Sequence, residues 1–297
     1  MKHFLINFFA KKNKWIIALL IGLQINFQSY SQVPSSNPVP TRLIHPVEVD
    51  FRRIINNDTL LHQKYLLTKK ITSKIVKEKI TEGLLKYSLV AENNFPEFYN
   101  DAKLIAKELG LGEPQNIFIK ESSELGASTI AADINDYVIF FHSAIFNSMT
   151  REERKVLLAH ELTHAKLLHS RFAVLMKLLD EKTIDELLNK TKKTTYQLFR
   201  CFEFSADRGA YLSANVGEET FIRTIMRFAS GVSEKNAIQN VESYMNQISV
   251  FSDIKLSDED LEKYYSQMPE KKQDNPFPII KAIEIKKFIE ETKGKQK

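Results

Sequence analysis

His160-Glu161-Leu162-Thr163-His164 is the stretch of this 297-residue chain that carries the most chemistry per position. Two histidines four apart on a helix project from one face, so both imidazoles can reach a single metal ion. Thr150 and Glu153 form a Ser/Thr-x-x-Glu capping box that starts such a helix. Val156, Leu157, Leu158, Ala159, Leu162 and Leu168 then bury it. Two histidines and a carboxylate inside so apolar a helix are costly unless something coordinates them. A catalytic zinc needs three protein ligands and one open position. The third ligand is not a histidine placed as in the metzincins, because Leu167 and Ser170 stand where that pattern wants Gly and His. His169 falls half a turn round a continuing helix from His160, at ~100° per residue, which makes it a supporting or capping histidine.

The remaining candidates for a third ligand are carboxylates. Glu-x-x-x-Asp occurs at Glu97/Asp101, Glu181/Asp185 and Glu203/Asp207. Glu97 opens a surface helix, and Glu181 sits in the charged run Asp180-Glu181-Lys182. Glu203 lies between Phe202 and Phe204, and Ala206 and Ala210 would let its helix approach the central one closely. Its carboxylate and that of Asp207 share one face, which suits one ligand plus one acceptor for a ligand histidine N–H. Spacing alone leaves an ordinary pair on a helix surface equally open.

The elements that must position these groups can be read around them. Apolar residues recur at helical spacing from Thr59 to Asn93 (Leu60, Tyr65, Leu67, Ile71, Ile75, Ile80, Leu84), with lysines on the solvated face. A second helix runs from Pro96 to Gly110. Asn116–Lys120 and Tyr137–Phe141 read as strands, and Gly126–Ala131 as a third. From Thr150 the pattern is helical almost to the end. The fold class is therefore α+β, mostly helical, with one small sheet before the central helix. With 43% hydrophobic residues and twenty Phe, the chain is not disordered.

The first 31 residues read as an export signal. Lysines precede an apolar run, Trp15 to Phe27, and Ser29-Tyr30-Ser31 places small residues where a signal peptidase reads them. Thirteen helical residues rise only ~20 Å, short of a ~30 Å hydrocarbon core. Cleavage after Ser31 and a soluble periplasmic or secreted product are expected, in preference to an uncleaved amphipathic anchor. The lone cysteine, Cys201, excludes a lipoprotein anchor at the cleavage point and an intramolecular disulfide. The formal charge of +5 is mostly the leader's: its four lysines leave 38 of the 42 basic residues against 37 acidic ones. Nothing in that balance argues for nucleic acid. Residues 32–58, with Pro34, Pro38, Pro40 and Pro46, read as a Pro-rich linker, and 59–297 as the functional domain.

The chain resembles the zinc metallopeptidases that include the CAAX prenyl protease and HtpX, within the gluzincins. The resemblance rests on HELTHAKLLHS at 160–170, EFSADRGA at 203–210 and, more weakly, NPFPIIKAIEIKKF at 275–288. It implies a gluzincin-type domain whose small mixed sheet packs on the motif helix. It implies one zinc ion held by His160, His164 and Glu203, Glu161 as the catalytic carboxylate, and Asp207 supporting the ligands. Asn275 and Lys281 stand where the family commonly has His and Arg, and Gly126-Ala127-Ser128-Thr129 lacks the family's usual Asn-Ala pair. The membrane spans of the best-known members are absent. The activity implied is endopeptidase action on exported or misfolded polypeptides, with Glu161 as general base. An extended substrate would pair with the edge strand at Gly126, Ala127, Ser128 and Thr129. Tyr211, Arg208 and His169 are the candidates to assist the oxyanion. A non-catalytic binding protein or chaperone on the same fold is the alternative; the intact Glu161 opposes it.

Overall fold

The structure, a computed structural model, describes residues 41–232 and 240–294. The expected signal peptide, its cleavage point and the start of the expected linker lie outside these residues. The rest of that linker is corrected. After a 3-10 turn at Thr41–Leu43, Pro46–Asn57 forms a helix, α1. Pro46 occupies its first turn, where a missing N–H costs nothing. Glu48, Phe51 and Ile55 repeat at helical spacing and are buried. Phe51 and Ile55 share an apolar cluster with Phe172, Leu175, Leu198 and Phe202. The prolines mimicked an extended segment, yet the ordered domain begins well before residue 59.

Asp58 caps both α1 and the next helix, α2 (Thr59–Lys86), accepting bonds from the N–H groups of Leu60 and Leu61. The strand β1 (Ser88–Leu89), helix α3 (Pro96–Glu108), strands β2 (Ile117–Lys120), β3 (Ala127–Asp133) and β4 (Asp136–His142), and short helix α4 (Ala144–Ser148) follow. The sheet order is β1-β2-β4-β3, with β2 parallel to β4 and the other pairs antiparallel. Period-two alternation buries both faces. Ile117, Ile119, Ile139 and Phe141 join the core around the central helix, whereas Phe118, Ile130, Val138 and Phe140 meet α2 and Val174 behind the sheet. The seam of α2 differs from the apolar repeat in the sequence. Thr68, Thr72, Ile75, Val76 and Gly83 are buried, while Leu60, Leu67 and Leu84 are exposed. Small residues win there because the helix lies against the sheet, with Gly83 directly over the Phe118 ring.

The central helix, α5, spans Arg151–Leu167. Its capping box forms as read: Thr150 Oγ1 accepts from the Glu153 N–H, and Glu153 Oε2 accepts from the Thr150 N–H. Glu153 also meets the buried Arg227 guanidinium at 3.1 Å. A helix break at Leu168 separates α5 from α6 (His169–Leu178), which leads to α7 (Glu181–Thr191) and α8 (Thr195–Ser213). Helices α9 (Glu218–Ser230), α10 (Val241–Asp253), α11 (Asp258–Ser266) and α12 (Pro278–Gly294) complete the chain. The mixed sheet and α8 flank α5 from opposite sides, and α8 comes closest at Gly209. A Cβ on Gly209 would lie 2.3 Å from Thr163 Cγ2, so any side chain there forces the two site-bearing helices apart. None of the described helices is long and apolar enough to cross a membrane.

Candidate active site

Helix α5 holds His160 and His164 one turn apart, both buried, with their Nε2 atoms 3.0 Å from each other. Glu203, presented by α8, closes a triangle: its Oε2 is 3.3 Å from His160 Nε2 and its Oε1 3.4 Å from His164 Nε2. Among the described residues, these three form the cluster able to hold a metal ion. The other two Glu-x-x-x-Asp pairs are placed elsewhere. Glu97 and Asp101 pair with Arg154 and Arg151, and Glu181 and Asp185 lie exposed on α7.

The distances fit a tetrahedral ion. Bonds of ~2.0–2.1 Å at tetrahedral angles put neighbouring ligand atoms about 3.3 Å apart. The outer nitrogens of both rings are engaged as well. His160 Nδ1 donates to Asp207 Oδ1 at 2.8 Å, and His164 Nδ1 is 2.7 Å from His169 Nδ1. Both Nε2 atoms thus face each other and a carboxylate, an arrangement that calls for positive charge at its centre. Burial and Lys281 push the His160 pKa down, but Asp207 and Glu203 outweigh them and bring it up to about 9. Burial keeps His164 well below its ordinary value, hence neutral and able to ligate.

Glu161 lies beside this triangle and lines the same cavity, of about 290 Å³. Its Oε2 accepts from Thr129 Oγ1 at 2.6 Å. Burial raises its pKa above the ordinary carboxylate value, partly offset by His160 and Thr129. Lys281 Nζ, on a half-buried side chain, sits 3.3 Å from Asp207 Oδ1 and 3.8 Å from Glu203 Oε2. Burial lowers the Lys281 pKa, but these two carboxylates more than compensate and raise it. Phe221, Ile225 and Phe228 of α9 give the cavity an apolar wall, and Asn275 joins its lining.

The expected edge segment divides. Gly126, Ala127 and Ser128 line the cavity. Thr129 does not: it is buried and turned inward onto Glu161, a role the alternation of a two-faced strand hides in sequence. β3 is the sheet's outer strand, but Ser170 closes part of its free edge. The Ser170 hydroxyl donates to the Thr129 carbonyl and accepts from the Ala131 N–H, each at 3.2 Å. The three oxyanion candidates point elsewhere. Arg208 donates to the Ile44 carbonyl and covers Phe288, Tyr211 stands edge-on to Phe221, and His169 lies behind His164. Sequence reasoning named Lys281 only as a departure and found no signal for the Thr129 bond.

A buried metal-type triangle on crossed helices, an adjacent carboxylate and a sheet edge at the cavity rim are the parts that a metallopeptidase site needs. The sequence model of peptidase family M48 matches residues 94–234, a little under half of the chain. A relative, the plastoglobule-localized metallopeptidase 48, chloroplastic, of Arabidopsis thaliana, is 22% identical over 267 residues, 86% of this chain and 76% of its own length. No solved structure matches the chain. Peptidases of this family are metal-dependent, and the donor set here suits that requirement.

Proposed function

We propose that the chain is a zinc-dependent endopeptidase acting on exported or misfolded polypeptides. The observation that carries this reading is the convergence of His160 Nε2, His164 Nε2 and Glu203 at 3.0–3.4 Å beside the carboxylate of Glu161. These three residues would hold the zinc ion, with Asp207 orienting His160. When bound, zinc supplies a Lewis acid that polarises the scissile carbonyl and acidifies water. Glu161 takes a proton from the attacking water and delivers it to the leaving amine nitrogen. Thr129 holds that carboxylate in line through its hydroxyl. The lysine-bearing leader supports export, with Gln32 as the mature N-terminus, which N-terminal sequencing of the extracytoplasmic fraction checks.

The test is paired measurement of zinc content and hydrolysis of an unfolded polypeptide. Purified protein is expected to carry near-stoichiometric zinc, to cleave, and to lose cleavage to a chelator reversibly. Zinc without any cleavage would instead favour the binding-protein alternative.

Substrate pairing at the sheet edge has its own test. Along antiparallel β3, polar groups point outward at alternate residues. Thr129 and Ala131 bond outward to Ser170, so Ala127 is the outward-facing residue left at the cavity rim. Proline is tolerated at the first residue of an edge strand but lacks the N–H. Ala127→Pro is expected to raise KM several-fold, about one hydrogen bond's worth, with zinc content and melting temperature held. An unchanged KM would remove β3 as the substrate's partner.

A further inference from the structure

Among the described residues, no carboxylate meets the outer nitrogen of His164. His160 meets Asp207 directly, whereas the outer nitrogen of His164 meets a second histidine, and behind that histidine stands a carboxylate from another helix. His169 Nδ1 is 2.7 Å from His164 Nδ1, and His169 Nε2 is 3.1 Å from Glu48 Oε1. Both Glu48 and His169 are fully buried, and the His169 ring stacks on Phe202 with centroids 4.7 Å apart. Resting on the metal-centre reading above, we propose that Glu48 and His169 form a positioning relay that presents His164 Nε2 to the metal. The N-terminal helix α1 is thereby a working part of the site.

The donor–acceptor arithmetic admits one arrangement for two neutral rings. A carboxylate only accepts, so His169 Nε2 carries the proton that Glu48 receives. His169 Nδ1 is then an acceptor, and His164 Nδ1 must donate to it. That leaves His164 Nε2 with its lone pair free, toward His160 and Glu203. A histidine ligand normally has its tautomer and ring plane fixed by such an outer partner.

Three features of the chain serve this contact. First, α5 does not continue through 168: Leu168 adopts φ 56°, ψ 36°, a left-handed conformation that non-glycine residues rarely adopt. The break brings His169 back against His164, which an unbroken helix forbids. Second, Glu48 is held as a charged acceptor. Arg52 Nε donates to it at 2.7 Å, and so does the hydroxyl of Ser205, two residues beyond Glu203. Third, Arg52 also donates to the Leu167 carbonyl at 2.6 Å, at the end of α5. Glu48 and Arg52 together therefore tie α1 to both helices that supply the metal ligands. It lies outside the 94–234 segment that matches the family.

The test compares zinc affinity, by chelator competition, in full-length wild type, His169→Phe, Glu48→Gln and Phe51→Leu. Phe keeps the stack on Phe202 but offers no acceptor. Phe51→Leu loosens the packing of α1 without touching the relay. His169→Phe and Glu48→Gln are expected to weaken zinc binding about 10- to 100-fold, the usual effect of losing an outer partner. Phe51→Leu should lower the melting temperature yet leave zinc affinity unchanged. Nitrogen-15 shifts of the zinc-bound wild type should show protons on His164 Nδ1 and His169 Nε2, a readout that needs no variant to fold. The opposite tautomers, unchanged zinc affinity in the relay variants, or an equal loss in Phe51→Leu would overturn the relay. Wild type that binds no zinc would overturn the metal-centre reading itself.

Discussion

Glu161→Gln is expected to keep its fold and its zinc while losing at least ~10²-fold in kcat for peptide hydrolysis. That loss corresponds to about 2.7 kcal/mol of transition-state stabilisation. The argument is positional. His160, His164 and Glu203 converge on one point, whereas the Glu161 carboxylate turns to Thr129 Oγ1 at 2.6 Å and faces the cavity. Gln keeps the size of the side chain, and its amide oxygen can still accept from Thr129, so the environment survives the change. It has no basic oxygen with which to take a proton from water. KM should move little, because Glu161 acts in the transition state more than in binding. Undiminished hydrolysis by the variant would defeat the general-base assignment. Loss of zinc along with activity would instead place Glu161 among the ligands.

Legibility in the sequence followed the range of the interaction. The start of α5 was readable because a capping box is local: Thr150 and Glu153 bond across three residues, as expected. The small residues of α8 announced a close crossing, and Gly209 against Thr163 realises it. β2 and β4 were legible from their Ile, Phe and Val content, and β3 as a third strand between them, whereas β1 lies inside the stretch read as helix to Asn93. The mixed sheet packs on the motif helix as the family resemblance implied. What failed was non-local or conformational. The prolines before residue 47 masked the amphipathic turn of α1, whose purpose is visible only once Phe51 and Ile55 meet Phe172 and Phe202. The break at Leu168 carries no glycine or proline to mark it, so the return of His169 onto His164 could not be read. Thr129 was legible as part of a strand but not as the partner of Glu161, since that contact joins residues 32 apart in sequence. Lys281 likewise takes its meaning from Asp207 and Glu203, brought beside it by the packing of α12 against α8.

Glu203→Ala and His164→Ala are expected to purify with little or no zinc, the largest effect on metal content of any changes at this site. Each removes one of the three protein donors, and two donors with water do not make the closed set a tightly held ion requires. The loss should therefore exceed the ~10- to 100-fold expected for Asp207→Asn, which leaves all three donors in place and only frees the ring of His160. Glu203→Ala also alters the local charge. Lys281 keeps Asp207 as its partner at 3.3 Å, but the anion that both histidines face is gone, and a cation is no longer favoured between them. Glu181→Ala supplies the contrast, because its carboxylate lies exposed on α7 in an otherwise identical Glu-x-x-x-Asp spacing. Elemental analysis of wild type and the four variants, purified without added metal, decides the matter. Full zinc in Glu203→Ala with loss in Glu181→Ala would reverse the ligand assignment. The expected order, wild type equal to Glu181→Ala, then Asp207→Asn, then Glu203→Ala and His164→Ala, follows from distance to the point where the two Nε2 atoms and the carboxylate meet.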